Sequence, residues 1–204
     1  MHGVQEPAGL REAKKAATRR ALRAAATTLA LEHGLDGVTV DQVCAAAGVS
    51  LRTFFNYFES KEAALLGEEP PLGSPQGRKA FAAGGPSGDL LADLLTLLDP
   101  SDLVEQEGRT GLLQAMQLAQ QEPRLLAGHI AREIAHEQEV AALVATRRGL
   151  PEPDLGCAAL ATTAQALLRL AGRSWIDAED DSSLREHIDA TRAAYVAALG
   201  SALP

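Results

Sequence analysis

Only two cysteines, Cys44 and Cys157, occur among the 204 residues. Two distant thiols make no disulfide framework, so a reducing, cytoplasmic compartment is expected, with each read as a small core hydrophobe. Val and Ile are sparse, and no stretch alternates apolar and polar residues as a half-buried strand would. No run of ~18 apolar residues is available to span a bilayer, so no membrane partner is expected. The opening MHGVQEPAGLREAKKAATRR lacks the apolar core of a signal peptide. A nucleophile motif and a phosphate-binding Gly loop are also missing, so neither a catalytic residue nor a cofactor is expected. What is plentiful is Ala and Leu, which supply much of the 46 % hydrophobic content and are strong helix formers. An all-α chain, long enough to bury a real core, follows.

A net charge of −8 argues at first against a nucleic-acid partner, but the charge is unevenly placed. Residues 1–65 hold eight Lys/Arg against seven Asp/Glu, whereas residues 66–204 hold eleven against twenty. Arg11, Lys14, Lys15, Arg19, Arg20 and Arg23 crowd into thirteen positions. An acidic body with a locally basic head suits a DNA reader; a solvated helix face is the alternative reading of the same charges.

Punctuation divides the chain into four parts. Residues 1–9, with Gly3, Pro7 and Gly9, read as a mobile arm. Residues 10–66 read as a three-helix head. Its first helix runs to His33 with Leu22, Ala26, Leu29 and Ala30 on an apolar face, and stops at Gly34 and Gly37. Thr39 and Gln42 have capping-box spacing, and Val40, Val43, Cys44 and Ala47 form the next stripe until Gly48. Ser50 and Ser60 can each cap a further short helix, which completes a helix-turn-helix. Residues 67–88 are a Gly/Pro-rich connection in which Pro70 and Pro71 must interrupt any helix. Residues 89–204 read as four or five more helices, about nine in all. A helix near 102–121 contains Gly108 and Gly111 and is expected to bend or break; the last helix has a capping-box pair in Ser183 and Glu186.

Four of the seven aromatic residues (Phe54, Phe55, Tyr57 and Phe58) fall within five positions of LRTFFNYFESK, residues 51–61. Four rings across five helical residues cannot all point inward. The spacing turns Val49, Phe54 and Phe58 toward Val43, Cys44 and Leu65, where each buried Phe contributes roughly 1.5–3 kcal/mol. Leu51, Arg52, Thr53, Phe55, Asn56 and Tyr57 are left facing outward or sideways.

The segment from Thr39 to Leu65 resembles the tetracycline-repressor (TetR) family of transcription regulators. It offers Gly48-Val49-Ser50, Leu51-Arg52, Thr53, Phe54-Phe55-Asn56, Tyr57, Phe58 and, after Glu59, Ser60-Lys61-Glu62. With the preceding helix, the resemblance covers about residues 10–66. It implies that Thr39 and Ser50, at helix starts, offer hydroxyl and N–H groups to phosphates. Thr53 and Tyr57 would bond the DNA backbone beside the major groove, and Lys61 would pair with a phosphate; such contacts set register. Base readout would fall to Leu51, Arg52, Phe55 and Asn56, with Arg52 suited to guanine O6/N7 and Asn56 to adenine N6/N7. Phe55 stands where the family often has Tyr, and Asn56 where an aromatic is common, so the operator does not follow from relatives.

For the acidic half, the resemblance implies a small-molecule effector and a homodimer formed through the last two helices, released from a palindromic operator when the effector binds. The stretch CAALATTAQA, residues 157–166, is small on every side and permits close helix approach; Leu184, Ile188, Tyr195 and Leu199 mark the last helix. Packing within one chain is the alternative. His129, Glu133 and His136 fall at i, i+4 and i+7, but one straight helix spreads them over ~10 Å, so no metal site is expected. His129 and Glu133 are instead candidates to line an effector cavity or to form an ordinary polar face. Met116 and Trp175 are read as core or as effector contacts. The rival class is a helical small-molecule-binding protein or metalloenzyme whose head does not bind DNA.

Overall fold

A computed structural model describes residues 8–67 and 72–202. Residues 1–7 of the expected arm, and Pro70 and Pro71 of the connection, lie outside the described residues. Ten helices and no strand are present among the described residues. Packing groups them into two units, the first from residues 8–67 with Thr110–His129, the second from 72–109 with 130–202.

The first unit starts with α1 (Ala8–His33), whose Leu22, Ala26 and Ala30 are buried at helical spacing. Gly34 ends it at φ 74°, with its N–H bonded to the Ala30 carbonyl at 2.9 Å, a left-handed stop that favours glycine. Helices α2 (Val40–Ala47), α3 (Leu51–Phe55) and α4 (Lys61–Leu66) follow, and α1 packs on both α2 and α4. Their core gathers Leu35, Val38, Val43, Cys44, Phe54, Phe58, Ala64 and Leu65. Burial and nearby Asp41 raise the Cys44 thiol, keeping it a neutral core group.

Two members of this core come from far along the chain. Leu118 on α7 (Ser101–Gln121) and Leu125 on α8 (Pro123–Arg148) are both 2 % exposed within it. At the corner between those helices Glu122 Oε1 accepts the Leu35 N–H at 3.1 Å, and Arg124 pairs with Asp36 at 2.9 Å. Gly128 lies so close to Leu66 that an added Cβ would stand 2.8 Å from Leu66 Cδ1.

The second unit contains α5 (Pro75–Ala82), α6 (Leu90–Leu98), α9 (Leu155–Asp177) and α10 (Leu184–Ala202), with the remaining parts of α7 and α8. Helix α5 falls inside the connection expected to be irregular. Ser74 caps it, accepting from Gly77 N–H at 3.0 Å, and Pro75 occupies its first position. Gly108 interrupts α7 with φ 73° and ψ 161°, the break expected there. Helix α9 is long and apolar enough, by length and composition, to cross a membrane, because alanines raise its hydropathy. Its Cys157, Ala161, Ala164, Ala171 and Trp175 are buried inside the unit, and it packs on α6 and α10, as a core helix does.

Two arginines lock this unit. Arg147 pairs with Asp93 at 2.8 Å, with the two side chains 8 % and 1 % exposed, and donates to the Gly84 and Gly85 carbonyls while lying over the Phe81 ring. Burial pushes the Asp93 carboxyl up, but bonds from Ser87 and Arg147 outweigh it and bring it down to about 2. Arg109 stacks 5.1 Å over Trp175 and donates to the carbonyls of Ala178, Asp180 and Ser182, fixing the turn between α9 and α10. The Ser183–Glu186 capping box then opens α10.

Candidate nucleic-acid interface

Helix α2 is built by its ends. Thr39 accepts from Gln42 N–H at 3.3 Å while Gln42 Oε1 accepts Thr39 N–H at 2.8 Å. At the other end Gly48, φ 67°, closes a Schellman turn through Gly48 N–H to Ala45 O and Val49 N–H to Cys44 O. That turn delivers the chain to Ser50, whose Oγ caps α3 by accepting Thr53 N–H at 3.1 Å.

Helix α3 is a single short turn and a half, ending at Phe55 with Asn56 as its cap. Its inward side is aromatic. Phe54 is 0 % exposed, stacks against Phe58 at 5.8 Å and takes the edge of Phe55 at 5.4 Å. Its outward side is Leu51, Arg52, Phe55 and Asn56, all exposed, with Phe55 at 57 %. Thr53 and Tyr57 are half-buried at the margins, and Arg19 of α1 lies 5.7 Å over the Tyr57 ring. Each residue proposed for base readout therefore reaches solvent from a helix anchored by its own buried ring.

The hydrogen-bond capacity of the polar residues is unequal. Ser50 Oγ and Thr53 Oγ1 are 2.9 Å apart and share one hydrogen bond, so one hydroxyl proton of the pair is left for an outside acceptor. The Thr39 hydroxyl already donates to Gln42 Oε1 at 3.1 Å, so a phosphate would have to displace that exposed amide. Lys61 is committed more firmly. Its ammonium donates to Leu35 O at 2.6 Å and Val38 O at 2.8 Å, clipping the α1–α2 turn to the start of α4. The family resemblance implied a phosphate partner for Lys61; its geometry gives two of its three N–H donors to carbonyls within the head. Nothing local predicts this clip, because donor and acceptors are 23 and 26 residues apart.

The residues considered for the effector fall in both units. Met116 and His129 belong to the first unit, with Met116 half-buried and His129 exposed. In the second unit Glu133 accepts from Arg169 at 3.1 Å, and Trp175, 5 % exposed, donates its indole N–H to Ser182 O at 3.0 Å. Among the described residues no group of three or more His, Cys, Asp or Glu could hold a metal ion. Sequence reasoning passed over Gln165, a buried amide on the inner side of α9; the signal available was the one large polar residue in CAALATTAQA.

A capped two-helix turn with an exposed row of mixed polar and apolar residues on its second helix, in a chain that carries a second helical unit, has the form of a helix-turn-helix DNA-binding protein. Residues 22–66 match the family model described as bacterial regulatory proteins, tetR family, and residues 96–200 match that of the MftR C-terminal domain. The chain is also similar to the HTH-type transcriptional regulator TcmR of Streptomyces glaucescens, 31 % identical over 208 residues, covering 96 % of this chain and 87 % of that protein. The chain belongs to the TetR family of transcriptional regulators.

Proposed function

We propose that this regulator is a homodimeric repressor that binds a palindromic operator and releases it when a small molecule enters the second unit. The observation that carries the DNA reading is the outward row Leu51, Arg52, Phe55 and Asn56 on a helix held by the fully buried Phe54. Arg52 takes a guanine edge and Asn56 an adenine edge, while Leu51 and Phe55 meet thymine methyls. The shared Ser50–Thr53 hydroxyls, Thr39 and Tyr57 hold phosphates. The third N–H of Lys61 is available to a phosphate, but its first task is positioning.

Dimerisation is supported by what α9 and α10 leave exposed. Leu155, Leu170, Val196 and Leu199 are 86 %, 60 %, 49 % and 45 % exposed among small residues, a surface suited to a four-helix bundle from two copies. A two-fold dimer reads half-sites about one helical turn, ~34–36 Å, apart or a multiple of it.

A gel shift with the full chain and its own promoter region at low salt tests the reading. A palindromic site should be bound, and Arg52→Ala should weaken that site by roughly 5- to 150-fold, the loss of one bidentate base contact. Lack of any bound palindrome, or an Arg52→Ala protein with unchanged affinity and specificity, removes the repressor assignment. A monomer in light scattering at micromolar concentration removes the dimer.

A further inference from the structure

Among the described residues of the second unit, Asp93, Ser101, His136 and Gln165 are buried polar residues, and the side chains of Asp99 and Arg147 are covered as well, at 4 % and 8 % exposure. Asp93 is bonded by Ser87 and Arg147, Ser101 donates to Asp99 at 2.5 Å, and His136 is engaged as well. Gln165 differs from them. It is 6 % exposed, and its amide Nε2 has no hydrogen-bond partner among the described residues.

Helix α9, which carries that amide, packs on α6 and α10 and is tied to α8 by two side-chain bonds. Arg169 donates to Glu133 and Thr162 donates to Glu137 at 2.8 Å, so the two helices run antiparallel with 133 level with 169 and 137 with 162. This register sets Gln165 level with His136. Preceding it on the inner side of α9 are Cys157, Ala161 and Ala164, each 0 % exposed, so the wall beside the amide is made of small side chains. A buried donor left without an acceptor costs more than a made bond returns, and a residue kept only for packing would be apolar here. The buried carboxylates of this unit, Asp93 and Asp99, are already matched by Arg147 and Arg185, so neither leaves a countercharge free.

We propose that Gln165 is the specificity-determining residue of the effector site, donating its Nε2–H to a carbonyl oxygen of an uncharged molecule seated against the Cys157–Ala161–Ala164 wall. The proposal rests on the effector-responsive reading given above. The ligand class is a neutral ketone, quinone, lactone or amide whose remaining surface is largely apolar, since the donor is an uncharged amide and the wall beside it is made of small side chains.

The test uses the full chain and three matched probe sets: menthone, tetralone and fluorenone; their parent hydrocarbons menthane, tetralin and fluorene; and carboxylates of the same rings. Thermal shift and operator release are read for the natural protein, Gln165→Leu and Gln165→Met. The natural protein should be stabilised and released by members of the ketone set alone, and both variants should lose that response at least tenfold in half-effective concentration. Without probe, Gln165→Leu should melt about 2–4 °C higher, because the unpaired donor is gone. Equal responses to ketones in the natural and variant proteins overturn the assignment. Release by carboxylates alone overturns it too, while leaving the effector-responsive reading intact; release by no set removes both.

Discussion

Replacing Lys61 by Met separates two tasks that one ammonium could perform. In the head its Nζ donates to Leu35 O and Val38 O at 2.6 and 2.8 Å from a half-buried position. A hydrogen bond from a charged group contributes ~1.5–3 kcal/mol, which gives about 3–6 kcal/mol for the pair at most. Ordering the long side chain costs up to ~2 kcal/mol, and both carbonyls can turn to water in the variant. A net loss of about 2 kcal/mol remains, equivalent to a fall in melting temperature of roughly 4–8 °C for a chain of this size. Met retains the apolar stem, so packing is largely preserved. Melting of both proteins at one protein concentration reads the stability arm. Operator affinity measured across a salt series reads the other, since loss of one phosphate contact lowers the slope of log affinity against log salt by ~0.9. The expected result is a clear drop in melting temperature with the salt slope changed by less than half of that. An unaltered melting temperature with a slope reduced by a full contact would refute the clip and return Lys61 to the DNA.

Three further outcomes follow from the packing. Phe54→Ala should destabilise the protein by about 3–5 kcal/mol in urea unfolding, whereas Phe55→Ala, at an exposed ring, should leave stability within ~0.5 kcal/mol and act on operator affinity instead. Arg147→Ala strands the buried Asp93 carboxylate and should cost about 3–5 kcal/mol by the same assay. Asp93 is also an acid sensor of the fold. Its carboxyl lies at about 2 in the folded chain against 3.8 unfolded, so its contribution is full above pH 4 and disappears as pH falls through 2; acid titration of Arg147→Ala should lose much of that dependence.

What the sequence disclosed tracks the range of each interaction. Caps and turns are local, so Thr39 with Gln42, Ser50, Ser60, and Ser183 with Glu186 announced helix starts that the structure contains. The division of LRTFFNYFESK into inward and outward rings follows from helical spacing and holds for Phe54, Phe58 and Phe55. Helix α5 was hidden by the composition around it, although Ser74-Pro75 carries a cap and a first-turn proline. Contacts across long separations left no local mark. Neither the Lys61 clip nor the docking of Leu118 and Leu125 into the head core could be read from a pattern, because each joins residues that are neighbours only after folding.

The far origin of Leu118 and Leu125 has a consequence for how the protein is made. Helix α3 leaves the ribosome early, but the core beneath it is not closed until some seventy residues later, when Leu125 emerges. The head is therefore completed late in synthesis rather than at its start. A message cut short before codon 118 yields a head missing two core side chains and the Glu122 and Arg124 ties to Leu35 and Asp36. Placing the last pieces of the head beyond the connection thus ties DNA binding to chains that carry at least part of the body.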